Sequence, residues 1–280
     1  MSWHKEQQGF LTIAIDSKTT DYLNLAYLQA LNIKATQKIK SFAVIVDSET
    51  YNKINEEHKK AFDYIIEVPA SDYGPFGIEP QVFWLTPFKE TIKLESDILF
   101  PTSIDHWWDA FRFKEIVLST GCRNYLQEQS SSRKYRKLFD DNNLPDVYNG
   151  LMYFRFSQIA TNFFKSASII FEKWNEVKLN LLGCDEEYAS TDVVYALCAR
   201  IIGEEQCTLP SCDFINFVHM KPAINDFVEQ FDFTEVFVTE FFDGIIRINN
   251  VNQYHPLHYY NKKFPTKEMY DYFRSMAGIT

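Results

Sequence analysis

The sequence predicts an α/β protein: a mixed, mainly parallel sheet flanked by helices, with a C-terminal β-hairpin elaboration. Three observations predict it. Short apolar runs at residues 10–16 (FLTIAID), 41–47 (SFAVIVD) and 64–68 (YIIEV) have the length and β-branched content of buried strands. Segments with helical spacing separate them, which implies right-handed crossovers between parallel neighbours. Late in the chain, Asp243-Gly244 sits between apolar runs at 236–242 and 245–249, a hairpin signal.

Each element has its own reason. The first strand runs into the polar stretch Ser17-Lys18-Thr19-Thr20, and Asp21 can cap a helix whose Leu25, Leu28 and Leu31 recur at helical spacing. A short helix is expected after Pro80, carrying Val82, Phe83 and Leu85, and a fourth strand begins at 91–94. Residues 115–120 (EIVLST) and 147–156 (VYNGLMYFRF) read as further strands. Helices follow at about 158–173 and 191–202, the second stopped by Gly203. No internal repeat or linker divides the chain, so one domain over 1–280 is expected, with a first half at about 8–120 and a second at about 121–280.

Composition narrows the function. A chain of 280 residues with 46% hydrophobic and 24% charged residues can build a full core without disulfide support. The 25 Phe and 16 Tyr are many, and most are expected in that core. A net charge of −10, from 38 acidic against 28 basic residues, argues against a surface that coats nucleic acid. The five cysteines (Cys122, Cys184, Cys198, Cys207, Cys212) form no C-x-x-C pair, which points away from a zinc site or a disulfide framework and toward a reducing, cytoplasmic setting. The first residues carry no apolar leader, and no run approaches the ~20 apolar residues of a membrane span.

In a parallel sheet the ligand sits beyond the carboxyl ends of the strands. Two features fall there: the polar run from Asp16 to Asp21, and the triplet Glu95-Ser96-Asp97. Carboxylates at i and i+2 share one side of an extended chain. Hard divalent ions such as Mg²⁺ and Mn²⁺ take oxygen ligands and bridge to phosphates. An isolated acidic triplet at a strand end is more often simply solvated.

The segment 90–100 (ETIKLESDILF) resembles the strand and D-x-D motif of GT-A glycosyltransferases, in particular the glycogenin-like family 8 enzymes. Four more pieces resemble that family in the same order. Thr20-Asp21-Tyr22 is similar to its nucleotide-contacting turn, where a Tyr lies near the base. Asn149-Gly150 resembles the strand whose Asn contacts the donor sugar. Asp192 resembles the last Asp of its D-Q-D helix start. Leu209-Pro210, Phe214, Asn216 and His219-Met220-Lys221-Pro222 resemble its L-P…F-N…H-x-G-x-K-P segment. The chain departs from the pattern at Glu95 in place of Asp, at Thr191 in place of Gln, and in the shortened His-Met-Lys-Pro.

The resemblance implies a metal-dependent transferase that moves a sugar from a nucleotide diphosphate sugar, such as a UDP-sugar, with retention. It implies Mn²⁺ or Mg²⁺ held by Glu95, Asp97 and His219, with His258 as the competing histidine. Asp16, Thr20, Tyr22, Ser96, Gly150 and Lys221 would contact the donor, with Asn149 and Asp192 at the donor sugar. A nucleotide-sugar-binding module that has lost catalysis is the alternative that the departures raise.

The acceptor stays open between DNA and a saccharide or protein. The segments 91–108 and 136–154 resemble glycosyltransferase-like proteins of tailed bacteriophages, some of which modify hydroxymethylated pyrimidines in DNA. Arg133, Lys134, Arg136 and Lys137 would then clamp phosphates. The same four residues also fit a solvated helix face balanced by Asp140 and Asp141. Trp107-Trp108 is expected to pack on the sheet, the alternative being a sugar-stacking platform.

Overall fold

The computed structural model describes residues 6–69, 76–209, 215–227 and 233–279. In chain order the strands are β1 (Glu6–Ile13), β2 (Phe42–Asp47), β3 (Tyr64–Val68), β4 (Phe88–Leu94), β5 (Ile98–Leu99), β6 (Ile116–Thr120) and β7 (Cys122–Arg123). They continue with β8 (Gln129–Ser130), β9 (Val147–Arg155), β10 (Val218–His219), β11 (Thr239–Phe242), β12 (Ile245–Ile248), β13 (Val251–Asn252) and β14 (Leu257–His258).

The central sheet has the order β3-β2-β1-β4-β9-β6. β1 runs parallel to β2 and β4, and β2 parallel to β3. β9 lies antiparallel between β4 and β6. The expected mixed, mainly parallel sheet flanked by helices is therefore present. Its strands are apolar on both faces, as a sheet covered on both sides requires. On β2, Phe42, Val44 and Val46 enter one core while Ala43 and Ile45 enter the other. The first core is closed by the helices Tyr22–Thr36 and Lys267–Ala277, the second by Gln158–Glu172 and Thr191–Ile202.

The order places β2 and β3 on one side of β1 and β4 on the other. Chain crossovers leave in opposite directions at the β1/β4 junction, which opens a crevice at the carboxyl ends of those two strands. Asp16 and Glu95 stand on its two lips. β1 starts earlier and ends earlier than the apolar run suggested. Glu6 and Gln8 pair with Phe88 and Glu90, whereas the chain after Ile13 leaves the ladder and turns into the crevice.

Polar side chains buried on the Tyr22–Thr36 helix pin the strand that leaves the triplet. Gln29 Nε2 donates to the carbonyls of Glu95 (2.7 Å) and Ile98 (2.8 Å). Asn32 donates to the Phe100 carbonyl (3.1 Å) and accepts from the Phe100 amide (2.7 Å). Backbone groups that lie beside a sheet edge without a ladder partner are satisfied this way.

A second, small sheet of order β5-β14-β10-β7-β8 is made entirely of two-residue strands. It aligns His219 opposite His258, and His258 opposite Ile98. The hairpin at Asp243-Gly244 joins β11 to β12, both turn residues have positive φ (48° and 81°), and β13 extends it to three strands. The first hairpin strand is shorter than expected: Val236 belongs to the helical turn Phe233–Val236, and the ladder begins at Thr239. Trp107 and Trp108 are both buried, and Trp108 sets its edge against Phe10 with centroids 5.6 Å apart, which removes the platform reading. No helix among the described residues is long and apolar enough to cross a membrane.

Candidate functional site

The crevice is a cavity of about 570 Å³. Asp16, Tyr22, Glu95, Ser96, Asp97, Asp192, His219, Lys221 and His258 all line it, so residues from both ends of the chain meet in one cleft. Asn149 and Gly150 lie behind its wall. Thr20 stays in the turn, where its amide and carbonyl bond to Ser17. Pro210 and Phe214 lie outside the described residues.

Glu95 and Asp97 leave the end of β4 and meet His258 from β14. The His258 Nε2 is 2.8 Å from Asp97 Oδ2 and 3.3 Å from Glu95 Oε2. One donor atom from each residue lies within 4.8 Å of the other two. The histidine that meets both carboxylates is thus His258, while His219, which the motif placed first, stands one strand away. Its ring stacks on that of His258 at 4.6 Å and 4°. Its Nε2 faces the hydroxyls of Tyr148 (3.3 Å) and Tyr135 (3.5 Å).

The charges in this cluster sort themselves by burial and neighbours. Burial opposes ionisation of Asp97, yet His258 and Lys262 outweigh it and hold the carboxyl well below the usual range. Burial likewise disfavours a charged His258, but Asp97 and Glu95 raise its affinity for the proton above the ordinary value. Glu95 is pushed up by desolvation, against the pull of His258, although 31% of its side chain still meets solvent. His219 is pushed well down by burial and by the positive His258.

Two carboxylate oxygens and an imidazole nitrogen form a donor set suited to a hard or borderline divalent cation. The residues fit such an ion on a further ground. His258 Nε2 and the Lys262 ammonium already converge on the same Asp97 oxygen, so positive charge is stabilised at that point.

The wall behind Glu95 is a buried ionic network. Lys93, 1% exposed, forms an ion pair with Glu79 (2.8 Å) and donates to Asn149 Oδ1 (2.8 Å). Asn149 Nδ2 then points to Glu95 Oε1 (3.4 Å), and its backbone amide donates to Asp192 Oδ1 (2.7 Å). Gly150 makes room for this arrangement. A Cβ there would lie 2.7 Å from the Tyr148 ring and 3.3 Å from Glu95 Oε2. Asp16 accepts from the Leu23 amide (3.0 Å) and pairs with Lys53 (2.9 Å), fixing the start of the helix that carries Tyr22.

The basic stretch is neutralised within the chain. Arg133 pairs with Asp140 (2.5 Å), Lys134 with Asp226 (2.7 Å) and Lys137 faces Asp141 at 3.9 Å. Arg136 turns inward to Asp192 (3.5 Å), with its guanidinium over Phe139 (4.2 Å) and Tyr148 (5.1 Å). Lys221 places its ammonium 3.8 Å from the centre of the Tyr135 ring.

Sequence reasoning passed over Lys93, Glu79 and Lys262. A lysine inside the apolar run 91–94 was a readable signal, because Lys is almost never fully buried unless paired. For Lys262 no such signal exists in the sequence.

No protein-family model and no curated protein matches the chain. Among solved structures it is similar to mouse xyloside xylosyltransferase 1 in its apo form. That match has 8% identity and a TM-score of 0.46, and covers 74% of this chain and 85% of that one. At those values the site has to be read from this chain's own residues.

Proposed function

We propose that the cleft binds a nucleotide diphosphate sugar together with a divalent cation, and transfers the sugar to an acceptor hydroxyl. The observation that carries this reading is the convergence of Glu95, Asp97 and His258 at the β1/β4 crevice. Glu95, Asp97 and His258 would hold the cation, which when bound would neutralise the diphosphate as it departs. Lys221 supplies a further positive group to the phosphates, and Tyr22 an aromatic face to the base. Asp192, tethered by Arg136 and by the Asn149 amide, is placed to accept hydrogen bonds from donor-sugar hydroxyls. Asn149 steadies Glu95 from behind.

In the reaction, the bond between the anomeric carbon and the phosphate oxygen breaks, its electron pair leaving with the nucleotide diphosphate. The acceptor oxygen forms the new bond, and its proton passes to a departing phosphate oxygen. Retention of configuration and a UDP donor follow the family resemblance. The pairing of Arg133, Lys134, Arg136 and Lys137 with acidic side chains favours a saccharide or protein hydroxyl over DNA as acceptor.

Incubation with UDP-sugars and Mn²⁺ should release UDP slowly without acceptor, and EDTA should stop it. Tight, Mn²⁺-dependent UDP binding without turnover on any acceptor would turn the reading into a binding module. Absence of any nucleotide binding would sink it.

Gly150→Ala follows from the same geometry. The methyl must displace the Tyr148 ring and crowds Glu95, so we expect about ten-fold weaker Mn²⁺ binding alongside a stability loss of about 1–3 kcal/mol. Calorimetry and a denaturant melt would check the two parts. A stability loss with unchanged Mn²⁺ affinity would show that the space serves Tyr148 packing rather than Glu95.

A further inference from the structure

The His258 imidazole and the Lys262 ammonium share Asp97 Oδ2, and they differ in one respect. His258 is 5% exposed and locked in the small sheet, whereas the Lys262 side chain is 32% exposed and ends in the cleft. Lys262 is carried by a turn whose backbone is held at both ends. The Tyr259 amide donates to the Asp97 carbonyl (3.2 Å), and the Tyr259 ring stacks on Phe264 at 4.9 Å. Within it, Tyr260 has a φ of 58° and the Asn261 amide closes on the Tyr259 carbonyl at 2.5 Å. The turn therefore fixes where the lysine starts, while its long side chain retains a path to solvent. That path leads along the cleft wall: the ammonium lies 5.7 Å from the Tyr22 ring centre, and Lys221 lines the same cavity.

A cation that binds Asp97 must share or displace what already sits on that oxygen. A dication beside an ammonium at hydrogen-bond distance is strongly repelled in a buried site. The group able to move is Lys262. Once off Asp97, it can turn to the diphosphate that the proposed reading places in this cleft, since Glu95 and Asp97 would both be taken up by the cation. We infer that Lys262 is an exchangeable counter-ion: it occupies Asp97 until a divalent cation displaces it, and then binds the donor's diphosphate. Lys262 thus links cation binding to donor binding, and this role rests on the nucleotide-sugar reading above.

Two consequences separate this from a merely structural ion pair. Wild-type protein spends part of its cation affinity on displacing Lys262, so Lys262→Met should bind Mn²⁺ alone about ten-fold more tightly. The enhancement of UDP binding by Mn²⁺ should in turn shrink about ten-fold, because the freed ammonium no longer contributes. Calorimetric titrations of the full chain with Mn²⁺ alone, UDP alone and UDP with Mn²⁺ measure both. Lys262→Gln provides a second neutral variant, and the exposed neighbour Lys263→Met a control. A melting curve confirms that each variant is folded.

Tighter Mn²⁺ binding with a reduced Mn²⁺–UDP enhancement in both neutral variants supports the proposal. Unchanged or weaker Mn²⁺ binding overturns it, and so does tighter Mn²⁺ binding with an unchanged enhancement. If neither wild type nor the variants bind Mn²⁺, the cation-site reading itself has failed, and the exchange with it.

Discussion

Asp97→Asn should lower Mn²⁺-dependent UDP release from a UDP-sugar about a thousand-fold, a loss of roughly 4 kcal/mol in transition-state stabilisation. Asp97 is the hub of the cluster: His258 and Lys262 both bond its Oδ2, and its carbonyl accepts from Tyr259. An amide keeps the shape and the hydrogen bond but removes the charge that attracts a cation. The backbone contacts that hold the 95–98 turn through Gln29 do not involve this side chain, so the fold should survive. Initial rates over a Mn²⁺ titration would measure the effect. A rate within ten-fold of wild type at saturating Mn²⁺ would remove Asp97 from the chemistry.

Lys93→Met should destabilise the protein by about 3–5 kcal/mol, since it leaves the buried Glu79 carboxylate without its counter-charge. The cost arises at a largely buried pair: Lys93 is 1% exposed and its ammonium reaches both Glu79 and Asn149. Urea unfolding would read it as a shift in midpoint at constant slope. The double variant Lys93→Met with Glu79→Gln should recover much of the loss, because no unpaired charge then remains. A Lys93 variant within 1 kcal/mol of wild type, or a double variant no better than the single, would contradict the buried-pair account.

These two residues also show what a sequence does and does not reveal. The parallel strands, the Asp21 cap with its bond to the Asn24 amide, and the Asp243-Gly244 turn were legible, since each depends on neighbours along the chain. Asp16 and Glu95 were legible as cleft-lining residues for the same reason: they follow strand ends, and a parallel sheet places its crevice there.

The small sheet was not legible, because two residues carry no periodicity. Yet β10 and β14 are what bring His219 and His258 side by side. The choice between those histidines depends on pairing between β5 and β14, and His258 stands 161 positions from Asp97. The antiparallel insertion of β9 between β4 and β6 is equally non-local, and it sets Asn149 and Gly150 behind Glu95. The inward turn of Arg136 was not legible either, because its partner Asp192 lies 56 positions away in the chain.

In the proposed site Glu95, Asp97 and His258, rather than His219, hold the cation. Counting bound Mn²⁺ from its free-ion electron paramagnetic resonance signal tests it directly, comparing wild type with His258→Ala and His219→Ala. The account predicts one bound ion per chain in wild type, its loss in His258→Ala, and at most a several-fold weakening in His219→Ala. Retained stoichiometric binding in His258→Ala, with loss in His219→Ala, would contradict it.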